Sequence, residues 1–105
     1  MMKEREILKK IKKTVNSKAP NATVILYGSR ARGDNRSDSD IDLLILLDKE
    51  KVTREDETSV KYPLYDIEFE TGMIVSALVL TKSDWKSKHK ITPFYDNVSR
   101  EGIVL

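Results

Sequence analysis

The sequence predicts an α/β fold, with short buried strands set between helices, on three observations. Residues 22–27 and 41–47 are apolar runs, the second interrupted only by Asp42, and both have the length and flanks of strands buried on two faces. Residues 3–17 instead carry Ile7, Leu8, Ile11 and Val15 on one stripe at helical spacing, with lysines around the rest. Thr92 followed by Pro93, with Gly102 beyond, supplies the opening and closing residues of a further helix. With 105 residues there is no room for a second core, so one domain over 1–105 is expected.

The elements follow in order. The first helix ends before Pro20, and the strand 22–27 is broken by Gly28 and Ser29. Residues 30–39 turn polar and predict one helical turn followed by a loop, after which 41–47 is the central strand. In 51–71, Val60, Leu64 and Ile67 fit a helical stripe, while Pro63 opposes a helix interior and 66–70 alternates like a strand. A helix kinked at Pro63 or starting near it, ended by Gly72, is expected over a hairpin turning at Thr71 and Gly72. Residues 73–80 predict a third strand, and Thr81 with Asp84 has the pattern of a capping box. Trp85, Phe94 and Tyr95 are expected to pack the core. Ile103, Val104 and Leu105 fit either an edge strand or a partner contact.

Charge excludes some functions. Charged residues make up 34% of the chain, yet 19 Lys plus Arg against 17 Asp plus Glu leave a net of +2, which argues against bulk nucleic-acid binding. Lys9, Lys10, Lys12 and Lys13, and later Lys82, Lys86, Lys88 and Lys90, are expected to be solvated faces. No apolar run approaches the ~18 residues that span a bilayer, and the charged start of the chain lacks a signal peptide's apolar region. Without cysteines neither a disulfide nor a thiolate metal site is possible, so the cytoplasm is the expected compartment.

Chemistry concentrates between the first two strands. Asp40 and Asp42, two apart at the start of an apolar strand, point to one side. Like carboxylates at a buried strand repel unless a cation sits between them, and Mg²⁺ is bound through one or two carboxylates plus waters and phosphate oxygens. The alternative is that Asp40 caps the loop and Asp42 sits at an exposed strand entrance. Gly28 after the first strand allows close backbone approach, Ser29 adds a hydroxyl, and Arg30 and Arg32 add positive charge. The plainer reading is a strand-to-helix turn with a serine N-cap. Asp38, Asp40 and Asp42 imitate a calcium loop, but Leu43 and Lys49 stand where glycine and glutamate are required, so that reading fails. His89 has no clustered partners and reads as a surface residue.

Together these residues read Gly-Ser, ten residues, Asp, one residue, Asp. The segment GSRARGDNRSDSDIDLLI resembles the signature of the minimal nucleotidyltransferases, within the DNA polymerase beta-like nucleotidyltransferase superfamily. The resemblance implies the nucleotidyltransferase fold, a small mixed β-sheet flanked by helices. It implies a nucleotide-binding set of Gly28, Ser29, Arg30 and Arg32, and Asp40 and Asp42 as catalytic residues holding Mg²⁺. The implied reaction is transfer of a nucleoside monophosphate, AMP from ATP above all, onto a hydroxyl of a partner protein. No acceptor-binding domain is evident, and the resemblance points to two-component systems in which such a protein is antitoxin to a HEPN-type ribonuclease toxin. Competent relatives usually carry a third carboxylate on the next strand. The place expected for it holds Ser76, no acid occurs between Gly72 and Thr81, and Glu68 or Glu70 could substitute only by reaching back into the site.

Overall fold

The computed structural model describes residues 3–105; Met1 and Met2, which open the charged N-terminal stretch, lie outside the described residues. The described residues form five helices and four strands in the order α1 (Glu4–Lys18), β1 (Thr23–Tyr27), α2 (Ser29–Arg32), β2 (Ile41–Leu47), α3 (Arg54–Thr71), β3 (Val75–Thr81), α4 (Lys82–Ser87), α5 (Pro93–Glu101) and β4 (Ile103–Val104). The sheet order is β3-β2-β1-β4, with β1 antiparallel to β2 and β4, and β2 parallel to β3. This is the mixed sheet expected. The apolar end of the chain takes the edge-strand alternative, although Ile103 and Val104 stay exposed.

Strand alternation divides the core. Ile41, Leu43, Ile45 and Leu47 of β2 face the layer made by Ile7, Ile11 and Val15 of α1 and Val60, Leu64 and Ile67 of α3. Leu44 and Leu46 face the opposite layer, where Trp85 of α4 and Phe94, Tyr95 and Val98 of α5 pack with Tyr27 and Ile25 of β1. The strand is therefore buried on both sides, which is why its sequence shows no polar alternation beyond its first turn. Asp42 belongs to the even set and so lies on the α4/α5 side.

At α3 the helix ends at Gly72 as expected, and of its two expected forms the one starting near Pro63 is excluded. α3 begins at Arg54, well before Pro63, because Thr53 and Asp56 form a reciprocal capping box: Thr53 Oγ1 accepts from Asp56 N–H at 3.1 Å, and Asp56 Oδ2 accepts from Thr53 N–H at 3.0 Å. Pro63 lies inside the helix. The carbonyl it leaves without a donor belongs to exposed Ser59, where water is at hand. At α4 the expected box is only half formed. Thr81 Oγ1 accepts from Asp84 N–H at 2.9 Å, but the Asp84 carboxylate faces Lys88 at 3.6 Å. Of the two lysine clusters, Lys9, Lys12 and Lys13 are solvated, while Lys10 pairs with Glu70 and Lys82 donates to the Asn21 carbonyl.

Candidate functional site

Register brings the two halves of the motif together. Tyr27 and Asp42 are Cα partners across β1 and β2, so the residue after Tyr27 lies beside the Asp42 side chain. Gly28 has φ +77°, a conformation an L side chain rarely adopts, and a Cβ placed there would collide with the Asp42 carboxylate, meeting Cγ at 3.3 Å. Glycine is thus required twice over, for its backbone and for the carboxylate that occupies the vacated space. The N-cap of α2 is Gly28, not Ser29, and it makes no side-chain capping bond. Ser29 is the first residue of α2 and half-buried; its hydroxyl is not engaged as a cap.

Burial raises the Asp42 carboxyl above its ordinary pKa first, the neighbouring Asp40 charge raises it further, and the Arg32 charge offsets part of this. Asp40 itself is exposed and precedes β2, whose ladder opens with Ile41 N–H donating to the Ile74 carbonyl at 2.8 Å. The Tyr27 phenol is also raised, by burial and then by Asp42. Among the described residues no three acidic or histidine side chains cluster as a metal cage. Two mutually repelling carboxylates on a half-buried strand entrance still fit a hard divalent ion whose remaining ligands come from water and substrate phosphates.

The two arginines separate. Arg30, expected at the phosphates, is turned into the protein, with a side chain only 5% exposed. Its Nε and Nη2 donate to the Ser39 carbonyl at 3.0 and 2.8 Å, Nη2 donates to the Ser37 carbonyl at 3.2 Å, and Nη1 donates to Glu4 Oε1 at 3.4 Å. Those bonds fix the loop that delivers Asp40, and four of the five guanidinium N–H groups are committed within the protein. Arg32 is the exposed one: Nε donates to Asp34 Oδ2 at 3.2 Å and Nη1 to Glu101 Oε2 at 3.4 Å. Surface pairs of this kind are weak and exchange readily for a phosphate.

Ser76 is the Cα partner of Asp42 across the parallel β2–β3 ladder, and it is exposed. The position nearest Asp42 on the neighbouring strand therefore holds a hydroxyl. Neither nearby glutamate replaces it, since Glu68 Oε1 accepts from Val75 N–H at 2.7 Å and Glu70 pairs with Lys10. A recess of about 380 Å³ has Gly28 in its wall, together with Tyr27, Arg32, Phe94, Asn97 and Glu101. Sequence patterning assigned Phe94 to packing and gave no reason to notice Asn97 or Glu101, because the recess exists only once α5 closes on β1.

The profile of the nucleotidyltransferase domain family matches residues 8–95. A protein of Methanocaldococcus jannaschii, described as a candidate protein adenylyltransferase, is 31% identical over 101 residues, covering 93% of this chain and 94% of the relative. A toxin-antitoxin crystal structure with AMP-PNP shares the fold at a TM-score of 0.63 and 16% identity, over 97% of this chain and 72% of the other. A candidate nucleotidyltransferase from Sulfolobus solfataricus matches at a TM-score of 0.56 and 26% identity, over 94% of this chain and 76% of the other. With its two motif halves in contact at Gly28 and Asp42, the chain belongs to the nucleotidyltransferase domain family, in the minimal form its sequence resembles.

Proposed function

We propose that the protein transfers AMP from ATP to a hydroxyl of a partner protein in an Mg²⁺-dependent reaction, and that the partner is a HEPN-type toxin for which it is the antitoxin. The observation that carries this reading is the contact of the Asp42 carboxylate with Gly28, which joins a phosphate cradle to a metal-binding pair. The toxin-antitoxin fold neighbour and the adenylyltransferase relative support the choice of partner and nucleotide. No helix of the described residues is long and apolar enough to cross a membrane, and a cysteine-free chain suits the cytoplasm, where we place it.

In this reading Gly28 admits the β and γ phosphates to the backbone, the Ser29 hydroxyl donates to them, and Arg32 exchanges Glu101 and Asp34 for phosphate oxygen. Asp40 and Asp42 would hold the divalent ion, which would supply charge neutralisation to the transferring phosphoryl group. The acceptor oxygen forms a bond to the α-phosphorus, the bond from that phosphorus to the β-bridging oxygen breaks, and pyrophosphate leaves with the electron pair. The acceptor proton passes to solvent, since Ser76 is no base.

Ser76 favours a second reading, in which the same fold neutralises its partner by contact and turns over slowly or not at all. Incubation with ATP, Mg²⁺ and the product of the neighbouring reading frame, followed by intact-mass measurement of both proteins, decides between them. The enzyme reading expects the partner to gain whole AMP increments. A partner that is neutralised at unchanged mass would establish the contact-only reading.

A further inference from the structure

The sheet ends on one side in an edge that no strand of the described residues covers. β3 is the outer strand of the order β3-β2-β1-β4, and Val75–Thr81 carries no charge, no proline and no bulge in its register with β2. Those are the devices by which a soluble protein blunts an open edge, and β3 lacks all three. The opposite edge has less need of them, because β4 is only two residues long.

Parallel pairing decides which groups stand open. Ile74 gives its carbonyl to Ile41 N–H, so the even-numbered residues of β3 direct their main-chain groups to β2 and the odd-numbered ones direct theirs outward. Val75 N–H accordingly lies on the outside, where Glu68 Oε1 accepts it at 2.7 Å. The outward groups of Ala77 and Val79 have no partner among the described residues. A groove of about 220 Å³ between α3 and this edge is lined by Lys61, Tyr65, Ser76 and Ala77, so the edge can be reached.

Two properties make the edge its own complement. Turned antiparallel about Leu78, Ala77 of one copy faces Val79 of the other, and the open residues exchange about four main-chain hydrogen bonds. Leu78, 40% exposed, then meets its own copy on the axis. The side of α3 above the edge carries Arg54, Lys61, Tyr65 and Glu68, with Lys61 held by Glu57 at 2.7 Å. Arg54 is exposed and has no acidic partner among the described residues. Antiparallel copies of α3 bring the Arg54 end of one to the Glu68 end of the other, so opposite charges meet there.

We propose that the protein is a homodimer joined β3 to β3, antiparallel and with its two-fold axis at Leu78, so that two four-stranded sheets continue as one. Neither the joint nor its register depends on a nucleotide in the site.

Sedimentation equilibrium of the intact protein over a concentration series tests it. Wild type is expected to approach twice the chain mass. Ala77→Pro removes a main-chain donor that the monomer does not use, a change an edge strand tolerates, and should leave the melting temperature of the dilute protein little changed. It should weaken the dimer roughly 10- to 100-fold, the worth of two lost hydrogen bonds. Arg54→Glu, at an exposed position, should weaken it about 2- to 10-fold. Cysteine substitutions read the register, since the chain has no cysteine of its own. Leu78→Cys should give a disulfide-linked dimer on oxidation, because a non-hydrogen-bonded pair on the axis stands about 4.5 Å apart at Cα, within a disulfide's reach. Ser76→Cys, off the axis in each copy, should not. Equal cross-linking at both positions, or a dimer indifferent to Ala77→Pro and Arg54→Glu, would overturn the assignment. So would a wild type that stays monomeric throughout. Protection of the β3 amides from hydrogen exchange only when the product of the neighbouring reading frame is added would give the edge to that partner instead.

Discussion

Asp42 and Asp56 are carboxylates near opposite ends of β2, and their surroundings push them in opposite directions. Asp56 is lowered to about 2, first by a hydrogen bond from Lys49 at 2.6 Å and then by the Thr53 N–H of its capping box. Asp42 is raised, by burial and by Asp40, with only partial relief from Arg32. Every demand of Asp56 is met inside the chain, whereas Asp42 is held beside a second negative charge and over a glycine that leaves it room. A carboxylate the fold compensates is structural, and one the fold leaves uncompensated is set for something that arrives.

The largest effect is expected from exchanging the two. Asp42→Asn should abolish metal-dependent ATP binding in a calorimetric titration. It should also leave the metal-free protein as stable at pH 7 as wild type, or more so. Ionising a group whose folded-state pKa is raised costs the fold stability above that pKa and nothing below the ordinary carboxylate value. Asp56→Asn should do the reverse, lowering the melting temperature and sparing ATP binding. Gly28→Val belongs with Asp42→Asn in its effect on binding, since a side chain there displaces the carboxylate. A sharp drop in metal-free melting temperature for Asp42→Asn would make the two aspartates alike and break the comparison.

Ser76→Asp sharpens it further by adding charge where the fold already lacks compensation. The carboxylate would stand at the register position beside Asp42. If the enzyme reading holds, transfer of AMP to the partner should rise by about 10² to 10⁴, the usual worth of a positioned general base. The metal-free protein should melt lower than wild type, because three carboxylates then converge. The measurement is single-turnover labelling of the partner beside a melting curve. A folded, ATP-binding Ser76→Asp protein that still transfers nothing would favour the contact-only reading.

The sequence was most legible where one physical demand set the residue choice. A strand buried on two faces must be apolar throughout, so 41–47 stood out together with the single aspartate that violates the rule. The helix α3 was harder, because Pro63 and the alternation in 66–70 argued locally against it. Thr53 and Asp56, which start it, lie a full turn ahead of the apolar stripe that begins at Val60, and Pro63 favours a later start. Arg30 and Arg32 were indistinguishable by composition; only the loop carbonyls of Ser37 and Ser39, gathered around one guanidinium, separate them. The recess could not be foreseen, because Tyr27 and Asn97 are seventy positions apart and meet only when α5 packs on β1.

A smaller effect is expected at Ser29. Ser29→Ala removes one hydrogen bond, on the order of 1 kcal/mol net, so ATP affinity should fall by about fivefold with the melting temperature unmoved. Against the total loss in Gly28→Val, this separates a group that assists from one that makes room. Equal losses in the two variants would mean that the phosphates do not lie against Gly28.

The smallest effect falls on the compensated end of the molecule and should never reach the site. Thr53→Ala removes the side chain that accepts from Asp56 N–H and should cost about 1 kcal/mol of stability, the usual worth of an N-cap. Its neighbour Asp56 adds a pH dependence of definite sign. Its folded-state pKa lies near 2, below the ordinary carboxylate value, so its contribution is complete above the unfolded value near 4 and is lost as pH falls toward 2. Melting curves of wild type and Asp56→Asn should therefore differ at pH 5 and converge as the pH approaches 2. ATP binding at neutral pH should be the same in both. Convergence at a higher pH would mean that Lys49 does not hold Asp56 in solution, and the contrast with Asp42 would then rest on Asp42 alone.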